Sequence, residues 1–499
     1  MSLLTTSVLE SSISFTESLA KPQSKVFDAF LSAINIEDQL KHFFELSKIK
    51  NLKTKDDLTC LLNMQIAHID EMLNEQVNAI MHHPKFQKLE ASWRGLLYLT
   101  EEAGDQDNIK VKFLDVSWAT LVKDLDRAID FDQSHLFRKI YSTEFGTAGG
   151  EPYGVLLGDY QIRHRPGPDH KTDDITALRD ISQVAAAAFC PFVTGVDPVL
   201  FGVDDFSGLG LPINYENLFS QAEYLKWNAF RSTDDSRFVG LTLPRVLMRE
   251  PYDYDSYRSD QFRFTEDVSQ PDSSGYLWGN GCYAFGSILI KSFSNNSWFT
   301  DIRGCHDGID RGGVVRHLPV PSFKTDSGDV ALKYSTDVLI SDYSEKILSE
   351  YGFIPLCHSK DTKYAVFYGN QSIQGAQSYA SNIAEINAKI SAMLQYMFCV
   401  SRFAHYIKVI GREKVGSFFG AEECETYLHN WLLKYSTGSS SGTEEHLAKY
   451  PLAEASVEVR EIPGKPGVYS CVTRLKPHMQ LDQMVSGVKL VTELSAAKV

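Results

Sequence analysis

The residues best suited to carry chemistry lie in and around a glycine-rich stretch that runs from Gly304 to Gly313. The charged and imidazole side chains there are Asp301, Arg303, His306, Asp307, Asp310 and Arg311. Carboxylates and a histidine at such short spacing could bind a metal ion or a phosphate. A tight solvated loop has the same composition, because its glycines permit positive φ angles and its charges pair locally. We favour the loop and keep one alternative function, a cytosolic metal- or phosphate-dependent enzyme that uses the segment Asp301–Arg311.

Two smaller groups have simpler explanations than a binding site. His82 and His83 precede Pro84, and adjacent side chains on a helix point about 100° apart, which makes them a poor chelate. The C-terminal end of a helix suits histidine better, through the helix dipole and capping. A basic loop could meet an acidic partner surface, but an ordinary solvated turn is favoured; its residues are Arg163, His164, Arg165, His170 and Lys171.

Sequence motifs of the commonest enzyme classes give little support for catalysis. The chain has no GxxxxGK[ST] phosphate loop, no strict GxGxxG and no HExxH, and its GxSxG match, residues 438–442, lies in a Gly/Ser-rich segment typical of a flexible linker. Its eight cysteines are scattered, and the closest pair, Cys282 and Cys305, is 23 residues apart. This spacing excludes a zinc ribbon and a redox dithiol. These absences weigh against the commonest enzyme classes without excluding another kind of site, and we predict no catalytic residue, no cofactor and no metal.

Composition narrows the class of protein further. The 499 residues are 43% hydrophobic, and the formal charge is −15, from 49 basic against 64 acidic residues. A surface with that balance repels a phosphate backbone, so no nucleic acid partner is expected. No apolar run reaches the roughly 18 to 20 residues that a membrane span needs, so no membrane insertion is expected either. The first lysine is Lys21, which argues against a secretory signal and for a cytoplasmic location.

The elements that must position these residues suggest a mixed α/β (α+β) fold with several domains. Periodicity predicts a helix from about Lys55 to Met81, and we expect its apolar stripe to face the core, with a partner-facing stripe as the alternative. Residues 109–116 and Gly281 to Ile290 are predicted strands. The predicted divisions are a flexible N-terminal arm (1–24), a helical partner-binding region (25–135), a central mixed α/β region (136–380), a helical region (381–436), a linker (437–454) and C-terminal β-strands (455–499).

The C-terminal strands are too few to bury much surface alone. Apolar and polar residues alternate over 455–460 and 486–494, and such strands pair with further strands from this chain or another. We expect strand exchange between subunits there, through Val457, Val459, Val488, Leu490 and Leu494.

Several motifs, in a fixed order, resemble the large sheath subunit of bacterial type VI secretion systems (the TssC/VipB/EvpB family). The resemblance covers roughly Leu58 to the carboxyl end. It is carried by Trp93-Arg94-Gly95-Leu96, Phe145-Gly146, Gly149 through Gly154, Gly158-Asp159-Tyr160, Ser236 through Leu241, Leu243-Pro244-Arg245, Pro251-Tyr252, Ile302-Arg303-Gly304, Gly352 through Leu356, and Cys399 through Tyr406.

The resemblance implies a structural protein without catalytic activity. It implies a contractile sheath of heterodimers with a small sheath subunit (TssB/VipA type), stacked in helical rings around an inner tube of the Hcp type. Assembly would start on baseplate components, and an AAA+ disassembly ATPase would act mainly through the small subunit. The family shares a core with phage tail sheaths, in which terminal arms of neighbouring copies add strands to one sheet. The sheath of another phage-derived contractile particle remains a third possibility.

Overall fold

The computed structural model describes residues 29–47, 55–253, 262–269, 273–305, 311–320, 334–359, 362, 364–377, 379–414, 420–438, 443–462, 469–478 and 488–494. The chain divides into two compact units, one formed by 1–79 with 254–265 and the other by 80–253 with 266–499. The predicted mixed α/β class is confirmed. None of the described helices is long and apolar enough to cross a membrane.

The first unit contains α1 (Ile36–Ser47) and most of α2 (Lys55–Met81). The Asn74 side chain donates to the carbonyl of Arg263 (2.9 Å) and that of Asn78 to the carbonyl of Thr265 (3.2 Å), so the returning segment lies along α2. The prediction that the α2 stripe faces the core is wrong for this chain alone. Ile66 is 56% exposed and Ile69 45% exposed. Periodicity tells which residues share a face, but not whether another part of the same chain covers it.

The second unit is built on a six-stranded sheet. Its strands are β1 (Leu156–Ile162), β2 (Phe192–Val196), β3 (Val239–Leu243), β6 (Val314–Val315), β7 (Ile354–His358) and β8 (Ala365–Phe367). The order is β1-β2-β3-β7-β8-β6. The first four are parallel, and β8 and β6 add antiparallel. A separate antiparallel pair is formed by β4 (Val246–Leu247) and β5 (Trp278–Gly279).

Helices cover this sheet and extend the core. The central β2 and β3 are buried along their whole length, as strands between helical layers are. The helices are α3 (Pro84–Ala103), α4 (Trp118–Arg127), α5 (His135–Phe137, continued by a π-helix over Arg138–Phe145), α6 (Asp174–Ala188), α7 (Tyr215–Phe219), α8 (Leu225–Arg231), α9 (Gly281–Asn296), α10 (Asp342–Glu350), α11 (Asn382–Ser391), α12 (Leu394–Lys414), α13 (Ala421–Leu433) and α14 (Glu444–Lys449).

Helix α9 lies between α3 and the sheet, and glycine makes the close approach possible. A Cβ on Gly286 would lie 2.6 Å from Leu157 Cδ1 and 2.8 Å from Leu99 Cδ2. Gly95 of α3 similarly leaves room for the ring of Tyr283. The prediction of a strand at 281–290 is therefore wrong. A short, fully buried apolar run has no polar face, so its period does not distinguish a strand from a helix.

The predicted strand at 109–116 is also absent: the segment lies outside every helix and strand of the described residues. The predicted C-terminal strands are present as β9 (Leu452–Glu461), β10 (Tyr469–Pro477) and β11 (Val488–Leu494). They form an antiparallel sheet in the order β11-β10-β9, and its buried side chains join the core that contains α12 and α13.

Candidate assembly interfaces

The C-terminal sheet has two edges, and the chain itself covers part of one. The N–H of Val459 in β9 points away from β10 and donates to Glu425 Oε2 of α13 at 2.9 Å. At the start of β9 the N–H of Leu452 donates to the carbonyl of Tyr435 (3.1 Å). Because backbone direction alternates, Val457 and Ala455 point outward as Val459 does. Within the described residues their backbone groups have no partner at this edge.

The other edge is β11. Its register pairs Val488 with Leu475, Leu490 with Thr473 and Leu494 with Tyr469. Cys471 lies opposite both Val459 and Thr492. Two opposite residues of an antiparallel pair point their backbone groups either towards each other or away from each other. The Val459 N–H points away from β10, so the backbone groups of its partner Cys471 point away from β9 and towards β11. Alternation then assigns the outward backbone groups of β11 to Lys489, Val491 and Glu493.

Of the five residues predicted for strand exchange, two have side chains in the core and three lie on the edge strand β11. Val459 is buried and Val457 half-buried, and both side chains belong to the core that includes Leu428 and Leu432 of α13. Val488, Leu490 and Leu494 lie at β11 positions whose side chains are outside the described residues. The strands bring all five positions into one sheet, and exchange through them stays a prediction.

The glycine-rich loop is described at its two ends only, since His306, Asp307 and Asp310 lie outside the described residues. Its ends are closed by backbone bonds, from Gly304 N–H to the Phe367 carbonyl and from Gly313 N–H to the Gly304 carbonyl, each 2.9 Å. Arg303 Nε donates to the carbonyl of Tyr368 (3.0 Å), and Arg311 pairs with Glu445 (3.1 Å). In the described part of the chain no three His, Cys, Asp or Glu side chains are grouped as metal ligands.

The smaller groups are held by local contacts. His82 Nε2 lies 3.3 Å from Glu266 Oε1, whereas His83 caps the start of α3 by accepting from the Lys85 N–H at 3.3 Å. The expectation that both histidines serve the end of a helix is therefore wrong for His83, because the next helix begins directly after it.

The basic loop is engaged by the chain's own residues. Arg163 pairs with Asp197 (2.9 Å), Arg165 with Glu223 (2.8 Å) and His170 with Asp174 (2.7 Å). His164 stacks on Tyr224, with 4.5 Å between ring centroids. Burial lowers the pKa of His164, which favours the neutral ring. These contacts fit an ordinary turn.

A buried ion network escaped the sequence interpretation. The guanidinium of Arg249 donates to both carboxylate oxygens of Glu266 and, at 2.8 Å, to Glu90 Oε1. Arg94 also donates to Glu90 (2.7 Å), and the Tyr252 ring lies 4.4 Å from the Arg249 guanidinium. Burial acts to raise the pKa of Glu90 and Glu266. The hydrogen bonds and charge of Arg249, together with those of Arg94 at Glu90 and the Tyr252 N–H at Glu266, outweigh burial and hold both pKa values below their usual range.

This network adjoins the places where the chain passes from one unit to the other. Those crossings follow residues 79, 253 and 265, and the network includes His82, Tyr252 and Glu266. The Tyr252 N–H donates to Glu266 Oε2 (3.0 Å), and the Glu266 N–H donates to the Tyr252 carbonyl (2.9 Å). The residues of the second unit next to the three crossings, His82, Tyr252 and Glu266, are therefore held in one network that is centred on Arg249.

A second exposed apolar surface is formed by α3 and the segment after it. Trp93 is 58% exposed and Phe113 is 62% exposed, and their ring centroids lie 5.9 Å apart. Leu89 and Leu97 on the same side of α3 are exposed as well. Such a surface is a candidate for contact with another chain.

Comparison with known proteins identifies the kind of assembly these surfaces belong to. Two models of one family match in chain order: the EvpB/VC_A0108 tail sheath N-terminal domain over residues 63–374, and the EvpB/VC_A0108 tail sheath gpW/gp25-like domain over residues 383–494. The chain belongs to the VipB/EvpB tail sheath family. Its surfaces are therefore those of a subunit that polymerises.

A curated relative agrees with this membership. The type VI secretion system sheath protein TssC1 of Pseudomonas aeruginosa is 39% identical over 436 residues, which are 87% of this chain and 86% of that protein. A chain in the cryo-EM structure of the anti-feeding prophage baseplate matches 79% of this chain and 81% of its own length, at 10% identity and a TM-score of 0.32. That value is too low for the baseplate chain to add to the description of the fold.

This tail sheath protein is a structural large subunit of the contractile sheath of a type VI secretion system. It assembles with a small sheath subunit and with copies of itself. The two edges of the C-terminal sheet, the α2 stripe and the surface around Trp93 are then candidate contacts within the sheath. Apolar periodicity in the sequence indicates the exposed surfaces. The Arg249 network joins residues that are far apart in the chain, so no sequence pattern indicates it.

Proposed function

We propose that the sheath subunit holds its neighbours through main-chain pairing at the C-terminal sheet, around an inner tube of the Hcp type, and that it has no catalytic activity of its own. The observation that carries the proposal is the outward backbone of β11 at Lys489, Val491 and Glu493. An unpaired strand edge binds another strand by backbone hydrogen bonds and does not require one rigid contact between globular bodies. Subunits can then rotate past one another during contraction while they stay joined.

Contraction in this proposal is the release of a metastable extended lattice into a more stable packing. Two packings of the same subunits supply the bistable element, so this chain hydrolyses nothing. We place assembly in the cytoplasm on baseplate components, with the AAA+ disassembly ATPase acting mainly through the small subunit. The N-terminal arm (1–24) and the C-terminal strands (455–499) are the proposed exchange segments, and the predicted domain divisions stand as parts of this proposal.

The α2 stripe is the proposed contact for the small subunit. Its apolar side chains, Ile66, Ile69 and Leu73 among them, are exposed in this chain. The helix carries Asp56, Asp57, Asp70, Glu71 and Glu75 against one basic residue, Lys55. A second α2 would be repelled by this charge, whereas an amphipathic helix with basic flanks is attracted to it.

Substituting Ile66 or Ile69 by Asp tests this contact. We expect a change in the free energy of unfolding of the isolated chain of at most about 0.5 kcal/mol, because the substituted side chains are exposed. Binding to the small subunit should weaken at least tenfold, since a charge replaces a central apolar contact. Isothermal titration with Gln65→Asp as the matched control separates the two effects. A variant that loses folding stability but still binds the small subunit would show that the α2 stripe faces the core of this chain.

The enzyme alternative gains no support from the described residues. Asp307→Ala with Asp310→Ala is expected to change tubule yield and metal content by less than twofold, because a solvated loop contributes little. Electron microscopy and elemental analysis of the purified complex measure both quantities. Loss of a stoichiometric metal ion in the double variant would contradict this expectation and restore the alternative.

A further inference from the structure

Residues 110–115, called here the open segment, lie outside every described helix, strand, turn and bend. Within the described part of the chain their backbone N–H and C=O groups make no hydrogen bond. The segment is fixed at both ends, by the Ile109 N–H bond to the Gln106 carbonyl and by the Tyr160 hydroxyl bond to the Val116 carbonyl. Exposed residues whose backbone N–H and C=O groups are unpaired offer a template for strand addition.

The two faces of the open segment differ in chemistry. Val111 and Phe113 are exposed on one face, where Phe113 contacts Trp93. On the other face Lys112 pairs with Glu144 (2.9 Å) and Lys110 pairs with Glu151, and Leu114 is exposed beside them. A strand added here needs apolar residues at alternate positions for the first face and small polar residues between them for the second.

We propose that residues 11–17 of a neighbouring copy of this chain add as a β-strand along the open segment. The sequence from Ser11 to Glu17 alternates, with Ile13 and Phe15 apolar and Ser12, Ser14 and Thr16 polar. Ile13 and Phe15 meet the face of Val111, Phe113 and Trp93. The serines and the threonine lie on the face that already holds two ion pairs, where they add hydrogen-bonding groups and no uncompensated charge.

A linker of known length joins the proposed strand to the described chain. The 11 residues 18–28 separate the added strand from the first described residue (28 − 17 = 11), and they span at most about 40 Å when fully extended. The inference rests on the proposed function, because an arm serves the sheath as a tether only when it reaches another copy.

A disulfide cross-link tests this pairing in the assembled protein. The background carries Cys60→Ser and Cys305→Ser, because these two thiols are exposed. Ile13→Cys with Phe113→Cys is co-expressed with the small subunit and oxidised, and non-reducing electrophoresis with mass spectrometry identifies the linked peptides. Ile13→Cys with Leu211→Cys is the matched control, since Leu211 is an exposed apolar residue outside the open segment.

We expect 13–113 links between chains in more than half of the assembled subunits and at least tenfold fewer 13–211 links. Absence of the 13–113 link, or a link formed only within one chain, overturns the inference. Phe113→Asp adds an independent readout, with tubule yield expected to fall at least tenfold while Leu211→Asp changes it less than twofold. Normal tubules from Phe113→Asp would also overturn the inference and leave the proposed function standing. Failure of the unsubstituted chain to form tubules would count against the proposed function instead.

Discussion

Deleting residues 486–499 is expected to abolish tubules while leaving a soluble complex with the small subunit. The deletion removes β11 and with it the outward backbone groups of Lys489, Val491 and Glu493. β10 and β9 keep their pairing and their contacts with the core around α13. Size-exclusion chromatography measures the complex and negative-stain electron microscopy measures the tubules. Long intact tubules from the truncated chain would contradict strand exchange at this edge.

A pair of proline substitutions separates loss of exchange from loss of the sheet. Proline has no N–H and is tolerated only where that donor is unused within the sheet. Val491→Pro removes an outward donor and should prevent tubules with little effect on folding of the chain. Leu490→Pro removes a donor to β10 and should destabilise the sheet itself. Equal effects of the two variants on thermal unfolding would show that the assignment of outward residues is wrong.

Replacing Arg249 by Met is expected to give the largest loss of stability, about 3–5 kcal/mol, because it leaves the buried carboxylate of Glu266 and the half-buried carboxylate of Glu90 without their shared cation. Glu266 is almost fully buried, and both of its oxygens accept hydrogen bonds from Arg249. Urea unfolding of the purified complex measures the effect. Adding Glu90→Gln and Glu266→Gln to the Arg249→Met variant should recover part of the loss, because the buried groups are then neutral.

Arg94→Met is the matched control for Arg249. Arg94 contacts the same carboxylate of Glu90, but its side chain is partly exposed, so we expect a loss of about 1 kcal/mol or less. A loss from Arg249→Met that does not exceed the loss from Arg94→Met would contradict the importance of the buried network.

The network also predicts a pH dependence. The folded-state pKa values of Glu90 and Glu266 are lowered, so the stabilisation they provide is complete above the ordinary glutamate pKa. It is lost as the pH falls through the lowered folded-state values. The slope of stability against pH below about 4.5 should therefore be smaller in the triple variant than in the unsubstituted chain. Equal slopes would show that these carboxylates titrate alike in the folded and unfolded states.

The sequence predicted best where local pattern and burial agree. Alternation over 455–460 and 486–494 predicted β9 and β11, since one face of each strand repeats every second residue. Pattern failed at Gly281–Asn296, where burial on every side removes the polar face that distinguishes a helix from a strand. It failed again for α2, because its apolar residues form a stripe that the described chain leaves exposed.

The interfaces could be predicted only in part for a related reason. Alternation points to Val457 and Val459, but it identifies side chains that face the core. Strand addition instead uses backbone groups that point out of the sheet edge. Which backbone groups point outward depends on how a strand is paired with its neighbour, and the sequence of one strand does not reveal that register. The Arg249 network brings together Glu90, Arg249 and Glu266 by tertiary folding, and no local pattern marks residues so far apart in the chain.

Negative-stain electron microscopy of this chain co-expressed with its small sheath subunit tests the central claim most directly. The account predicts hollow, regularly ridged tubules that require both chains and that shorten to a wider form without nucleotide. Discrete globular particles, with this chain soluble and indifferent to its partner, would contradict it.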